Sequence, residues 1–186
     1  LEMKERTKAK VFTYGFGEGA MARVSNLEPR IEDGVPVGVN FKMNYSDSFV
    51  PFRLNGSLGK SQGYAAAAAA TVGAILGMNL VDISEALSEY QGPKGRLKIL
   101  KGIKNSTVID DTYNASPSST HLALETLRDL VGQRKIAVLG DMLELGKYSI
   151  KAHQDAGNMA GSFADLLVCV GPKAKFIADS AFNQMP

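Results

Sequence analysis

The stretch VIDDTYNASPSSTHLALET, residues 108–126, constrains the fold more than any other part of the sequence. It begins with β-branched and apolar residues and then reaches two adjacent carboxylates, Asp110 and Asp111. A short polar loop follows, after which Ser116 is a candidate N-cap and Pro117 suits the first position of a helix. Ligands of open α/β sheets bind at the carboxyl ends of strands. The loop after this strand is therefore the best candidate for a ligand site.

The composition is that of a globular protein and excludes several other classes. The chain has 186 residues, 45% of them hydrophobic, and a formal net charge of +2, which provides no basic patch for nucleic acid. The alanine-rich run 65–76 is too short to span a membrane. The single cysteine, Cys169, allows no internal disulfide, as suits a reducing cytoplasm, and we expect it to be a small buried hydrophobe.

The first half of the chain predicts one strand that runs into a glycine turn, then antiparallel hairpins over residues 22–54, then helices. Four segments bounded by turn residues are predicted strands: 11–17, 22–31, 37–45 and 48–54. Six consecutive alanines predict a helix over about residues 62–76. A second helix is predicted over about residues 83–90, with Asp82 as its N-cap. A glycine- and proline-rich break at residues 91–95 then marks a domain boundary.

The second half of the chain predicts alternating strands and helices. The predicted strands are 97–100, 107–109, 135–139 and 166–170, and the predicted helices are 117–131, 149–163 and 173–182. Strands separated by helices of this length indicate a parallel sheet with crossover helices. The sequence therefore predicts an α/β protein with two domains, residues 1–91 and residues 92–186.

A Gly-Lys-Ser sequence at residues 59–61 precedes the alanine-rich helix, as the end of a phosphate-binding P-loop does. The P-loop motif needs four residues between its first glycine and the Gly-Lys pair. Only two residues separate Gly56 from Gly59. A loop two residues short cannot wrap a phosphate in the same way, so we interpret the segment as a glycine turn into the helix.

The first acidic loop, residues 110–114, contains Asp110, Asp111, Tyr113 and Asn114, and Arg96 lies upstream in the same strand–helix unit. Carboxylates at this position can hold ribose hydroxyls or Mg²⁺, and an arginine can pair with phosphate oxygens. The alternative is that both carboxylates are solvated or cap the next helix.

The second acidic loop, LGDMLELG at residues 139–146, is bounded by glycines and contains Asp141 and Glu144. Its alternative interpretation is an ordinary connection. His153, in the following helix, is a candidate ligand contact, although it and His121 could both be ordinary helix-surface histidines. Two acidic loops at one edge of a sheet favour a shared cleft.

These segments together resemble the Mur ligases. The resemblance rests on Arg96, on DDTYNASP at 110–117, on the second acidic loop and on His153, and it extends over most of the chain. The second acidic loop is most similar to the branch that joins D-alanyl-D-alanine to a UDP-N-acetylmuramoyl tripeptide in peptidoglycan precursor synthesis. The resemblance implies that residues 1–91 end a central ATPase domain, with antiparallel strands and an alanine-rich helix. Residues 92–186 would then form most of a Rossmann-like C-terminal domain with a mostly parallel sheet.

The resemblance also implies a reaction and a set of site residues. ATP, with Mg²⁺, would phosphorylate the tripeptide carboxylate, and the amine of D-alanyl-D-alanine would attack the acyl phosphate. The implied nucleotide-binding residues are Arg96, Asp111, Lys60 and Gln62. The implied substrate-binding residues are Asp110, Tyr113, Asn114, Ser116, Asp141, Glu144 and His153. No metal ligand and no complete catalytic set is assigned, because the P-loop, the magnesium-binding acid and the modified lysine of the family have no counterpart here.

We therefore expect a cytoplasmic, monomeric fragment of the ligase that is inactive alone and binds neither nucleic acid nor membrane. Two alternatives stay open. The family usually has Gly-Arg-His-Asn-x-x-Asn before the alanine-rich helix, whereas this chain has Ala65 at the last position. A degenerate, non-catalytic binding module is thus one alternative. The other is a folylpolyglutamate-type ligase of the same superfamily, against which the second acidic loop argues.

Overall fold

The computed structural model describes residues 5–46, 48–132 and 134–185 and confirms a mixed α/β protein. The elements of its first half are β1 (Tyr14–Gly15), β2 (Ala22–Glu32), β3 (Val35–Tyr45), β4 (Ser48–Asn55), α1 (Lys60–Ile75) and α2 (Leu80–Ser88). Those of its second half are β5 (Lys98–Lys101), β6 (Thr107–Asp110), α3 (Pro117–Asp129), β7 (Ile136–Gly140), α4 (Ser149–Gly161), β8 (Leu166–Val170) and α5 (Lys175–Phe182).

The first half is a sheet of order β1-β2-β3-β4 covered by α1. The β2–β3 and β3–β4 pairs are antiparallel, as the sequence predicts. Asp33 and Gly34 join β2 to β3 with φ of 50° and 78°, the positive values that a tight hairpin turn needs. The predicted turn between β3 and β4 includes residue 47, which lies outside the described residues. Alanines of α1 approach the sheet closely and share its buried core with these larger side chains: Phe41, Met43, Phe52 and Leu58.

Helix α2 begins earlier than the sequence predicts, and Asp82 is not its N-cap. Asn79 is the N-cap, and its side-chain oxygen accepts hydrogen bonds of 2.9 Å from the backbone N–H groups of Val81 and Asp82. Asp82 instead lies in the first turn, where its carboxylate accepts a hydrogen bond from the Asn79 amide. The prediction was wrong because asparagine caps a helix as well as aspartate does.

The second half contains one parallel and one antiparallel strand pair. β7 and β8 pair in parallel around the crossover helix α4, as predicted. β5 and β6 pair antiparallel, because only residues 102–106 separate them and a parallel crossover needs about a dozen residues or more. Helices α3 and α4 cover one face of β7–β8. Cys169, in β8, is only partly buried, contrary to the expectation of a buried thiol.

The two halves are joined by backbone hydrogen bonds. The Leu58 N–H donates to the Leu97 carbonyl at 3.1 Å, and the Ile99 N–H donates to the Gly56 carbonyl at 2.9 Å. The apolar side chains of Ile99 and Ile109 pack against the core of the first half. A boundary near residue 91 stays a prediction, and strand β5 lies across the contact between the halves. None of the described helices is both long enough and apolar enough to cross a membrane.

Candidate ligand-binding site

Ser116 is the N-cap of α3, as the sequence predicts, and it forms a capping box with Ser119. The Ser116 hydroxyl accepts a 3.2 Å hydrogen bond from the Ser119 N–H, and the Ser119 hydroxyl accepts a 3.0 Å bond from the Ser116 N–H. Pro117 takes the first helical position. The Ser116 hydroxyl is thus engaged within the chain, and it holds the end of the first acidic loop.

Asp110 fastens the first acidic loop to the segment before β5. Its carboxylate accepts hydrogen bonds from the Gly95 N–H at 3.1 Å, from the Thr112 N–H at 3.2 Å and from the Thr112 hydroxyl at 2.7 Å. The Thr112 hydroxyl is the main cause that lowers the pKa of Asp110 below 3.8, with partial burial acting against it. Asp110 is therefore an ionised, internally bonded group at neutral pH.

Asp111 lies in a different environment from its neighbour. Burial raises the pKa of Asp111 above 3.8, while the Leu97 N–H and the Arg96 charge act in the opposite direction. Its Oδ1 accepts a 3.1 Å hydrogen bond from the Leu97 N–H. Within the described part of the chain no donor is assigned to Oδ2, so this oxygen can accept a hydrogen bond from a ligand.

Arg96 and Tyr113 form a solvent-exposed pair beside Asp111. The guanidinium carbon of Arg96 lies 4.2 Å from the centre of the Tyr113 ring, which is 71% exposed. A stacked guanidinium keeps its N–H donors free in the plane of the group. The pair can thus offer hydrogen bonds and a flat aromatic surface to a ligand.

Helix α1 contributes two of the predicted nucleotide-binding residues to the same region. The Gln62 side-chain amide donates a 3.2 Å hydrogen bond to the Arg96 carbonyl. The Lys60 ammonium lies 3.4 Å from the Glu125 carboxylate of α3. Lys60, Gln62, Arg96 and Asp111 therefore surround one contact between the two halves. Asn114 is exposed at the end of the first acidic loop.

The second acidic loop is held mainly by its own polar groups. The Asp141 Oδ1 accepts hydrogen bonds from the Lys173 N–H at 2.9 Å and from the Ala174 N–H at 2.7 Å. The Met142 side chain is buried, whereas Glu144 is exposed with a φ of 61°. His153, a candidate ligand contact from the sequence, is fully buried and hydrogen-bonded within the chain. The structure therefore does not present the His153 ring to a ligand.

The predicted shared cleft is not a closed pocket in the described residues. A cavity of about 570 Å³ lies between the β3–β4 turn and α2, and one of about 500 Å³ lies between the sheet and α2. None of the predicted site residues lines either cavity. The described residues also contain no group of three or more His, Cys, Asp or Glu side chains that could hold a metal ion. The candidate site is thus an open surface around Arg96 and Asp111.

Two structural contacts of the first acidic loop were missed from the sequence. Thr112 bonds Asp110 through both its backbone and its hydroxyl, and the Asp-x-Thr spacing is a recognisable turn signal. Gly95 has a φ of +74°, and a side-chain carbon there would lie 2.8 Å from the Tyr113 nitrogen. Only glycine allows this close approach without a shift of the loop.

Comparison with known proteins gives one consistent result. Residues 95–184 match the family model described as "Mur ligase, glutamate ligase domain". The UDP-N-acetylmuramoyl-tripeptide--D-alanyl-D-alanine ligase of Bacillus subtilis (strain 168) is 35% identical over 128 residues, which are 68% of this chain and 28% of that protein. The Escherichia coli (strain K12) ligase of the same name is 32% identical over 117 residues, which are 62% of this chain and 26% of that protein.

Solved structures agree with the sequence relatives. A crystal structure of MurF from Acinetobacter baumannii has a TM-score of 0.83 and 30% identity, and the match covers 100% of this chain and 39% of that one. The MurF ligase of Thermotoga maritima in complex with ADP has a TM-score of 0.75 and 26% identity, with 88% and 36% covered. The chain thus spans less than two fifths of the length of these relatives.

Proposed function

The chain belongs to the Mur ligase family, and we propose that it is the part of a D-alanyl-D-alanine-adding ligase that joins the central domain to the C-terminal domain. The complete protein would form an amide between UDP-N-acetylmuramoyl tripeptide and D-alanyl-D-alanine at the expense of ATP. Relatives that carry this activity in their names align with both halves of the chain, which supports the proposal.

The observation that carries the proposal is the exposed group formed by Arg96, which precedes β5, with Asp111 and Tyr113 of the first acidic loop. The Arg96 guanidinium is a bidentate donor of the kind that pairs with phosphate oxygens. The Oδ2 of Asp111 is suited to accept hydrogen bonds from ribose hydroxyls, as carboxylates at strand ends do. The contact of Gln62 with the Arg96 carbonyl brings Arg96 to the start of α1.

These residues fit part of a nucleotide but not a complete ATP site. ATP would supply the phosphoryl group that activates the tripeptide carboxylate, and Mg²⁺ would offset the phosphate charge. The described residues include no carboxylate cluster that could hold Mg²⁺, so we assign the ion no ligand in this chain. By this reasoning the chain alone binds ATP weakly and is inactive.

For the acceptor dipeptide, we assign contact and support to different residues. Tyr113, Asn114 and Glu144 are exposed and can reach a bound dipeptide. Asp110 and Asp141 are bonded to backbone N–H groups, so we assign them the role of fixing the two acidic loops. Ser116 has the same role, because its hydroxyl is already bonded in the cap of α3.

The test is phosphate release from ATP by the protein encoded by the complete reading frame. We expect release only when UDP-N-acetylmuramoyl tripeptide and D-alanyl-D-alanine are both present. In the Asp111→Ala variant we expect a KM for ATP raised about tenfold, because one hydrogen bond to a charged group contributes about 1.5 kcal/mol.

The isolated 186-residue chain is the control for this assay, and we expect no release from it. Release by the complete protein that is independent of the dipeptide would contradict the proposed acceptor. An unchanged KM for ATP in Asp111→Ala would remove Asp111 from the site. No release from a folded complete protein would favour the non-catalytic binding module.

A further inference from the structure

His153 connects helix α4 to the second acidic loop, residues 139–146. Its Nε2 lies 3.0 Å from the backbone nitrogen of Met142, and its Nδ1 lies 2.6 Å from the Ser149 carbonyl oxygen. The imidazole has no solvent exposure. A buried ring with a partner at each nitrogen is placed by the fold and cannot swing out to a ligand.

The chemistry of the two partners fixes the tautomer of this ring. The Ser149 carbonyl can only accept a hydrogen bond, so Nδ1 carries the proton and donates. The Met142 backbone N–H can only donate, so Nε2 is unprotonated and accepts. His153 therefore uses one nitrogen to bond its own helix and the other to hold the loop.

Asp141, the neighbour of Met142, ties the same loop to the start of α5. Its carboxylate accepts hydrogen bonds from the Lys173 and Ala174 N–H groups. A side-chain carbon at Gly171 would lie 2.5 Å from the same carboxylate, so the chain closes tightly around it. Two consecutive loop residues are thus held from two different helices, and Glu144 is the exposed charged residue that this arrangement presents.

We propose that His153 is a positioning residue for the acceptor dipeptide. It sets the backbone at Met142, and through it the direction in which the second acidic loop presents Glu144. This inference rests on the proposed function, because it takes this loop to be a contact for D-alanyl-D-alanine. His153 then acts on the ligand through the loop and not by direct contact.

The experiment compares His153→Asn with His153→Gln in the complete protein. The asparagine amide can still reach the Ser149 carbonyl but is too short to reach the Met142 N–H. The longer glutamine can place its amide oxygen near the position of Nε2. We expect His153→Asn to raise the KM for D-alanyl-D-alanine by roughly 3- to 10-fold, the loss of about one hydrogen bond. The KM for ATP should stay unchanged, and His153→Gln should recover most of the loss.

Amide hydrogen exchange supplies a readout that is independent of activity. In the wild type we expect slow exchange at Met142, and in His153→Asn faster exchange over residues 139–146, with β7 unchanged. His121, which is exposed on α3, is the matched control, and His121→Asn should leave the exchange and both KM values unchanged.

The outcomes separate this inference from the proposed function. Fast exchange at Met142 in the wild type, or equal effects of asparagine and glutamine at position 153, would overturn the positioning role. A wild-type protein that ignores D-alanyl-D-alanine would contradict the proposed function, while the exchange data would still test whether His153 holds the loop.

Discussion

The two acidic loops follow strands of the same half of the chain but use their polar groups in opposite ways. At the first acidic loop, Tyr113 and the neighbouring Arg96 are exposed and Asp111 keeps a carboxylate oxygen for a ligand. At the second acidic loop, Asp141 and the adjoining His153 of α4 are both bonded to backbone groups of the chain itself. Similar residue types at strand ends can therefore present a ligand surface in one place and hold a backbone in another.

The largest effect should come from breaking the second acidic loop. Asp141→Ala leaves the Lys173 and Ala174 N–H groups without their acceptor, so the free energy of unfolding should fall by about 1–3 kcal/mol. Urea denaturation of the chain measures it. The matched control is Glu144→Gln in the same loop, which is exposed and should change the stability by less than about 0.5 kcal/mol. Equal effects of the two substitutions would mean that Asp141 does not hold the loop.

The corresponding change beside the first acidic loop, at Arg96, should affect binding more than stability. Arg96→Lys keeps the charge but loses the planar group that stacks on Tyr113 and pairs with phosphate. In the complete protein we expect the KM for ATP to rise about tenfold, with the free energy of unfolding changed by less than about 0.5 kcal/mol. Arg128→Lys, an exposed arginine on α3 that pairs with Asp129, is the control. If Arg96→Lys lowered the free energy of unfolding as much as Asp141→Ala does, the two acidic loops would not differ in how their polar groups are used.

The sequence predicted most elements because each carried a local signal. Ser116 with Pro117 located the start of α3, and the 166–170 strand was predicted at its observed bounds. The pairing of β5 with β6 was missed, because direction depends on a short turn rather than on residue pattern. Asp82 was misassigned because Asn79 offers the same capping chemistry.

The roles of the site residues were harder to predict than their positions. Burial decides whether a polar side chain is exposed to a ligand or hydrogen-bonded within the protein, and burial depends on the tertiary structure. The sequence gives no local sign that His153 lies inside the chain while His121 is exposed, since both are on helices. In the same way, the adjacent carboxylates of Asp110 and Asp111 have pKa shifts of opposite sign. At Asp111 the effect of burial outweighs that of the hydrogen bond, whereas at Asp110 the effect of the hydrogen bonds outweighs that of burial.

These opposite shifts predict opposite pH dependence for two substitutions within the first acidic loop. The raised pKa of Asp111 stabilises the fold below pH 3.8, and this contribution is lost as the pH rises through the folded-state pKa. The lowered pKa of Asp110 stabilises the fold above pH 3.8, and this contribution is lost as the pH falls through the folded-state pKa. Denaturation at about pH 3 and about pH 7 measures both.

Relative to the wild type, Asp111→Asn should gain stability as the pH rises, and Asp110→Asn should lose it. Each asparagine keeps one acceptor oxygen, and the bond lost at Asp110 Oδ2 adds a cost that does not depend on pH, so the change between the two pH values reports the charge. If the stability of both variants changed in the same direction with pH, the two carboxylates would share one environment. Asp111 would then not be the residue available to a ligand while Asp110 holds the loop.

The smallest effect concerns the pair of Lys60 on α1 with Glu125 on α3, which lie 3.4 Å apart beside the first acidic loop. Both side chains reach solvent, so a double-mutant cycle with Lys60→Gln and Glu125→Gln should give a coupling free energy of about 0.2–1 kcal/mol. The coupling should shrink at about 1 M salt, where the screening length is about 3 Å. The exposed Lys151–Asp155 pair within α4 is the control for an ordinary surface pair. A coupling free energy well above that of the control pair would mean that the first acidic loop is also held by contacts between two helices. The two acidic loops would then differ in exposure but not in rigidity.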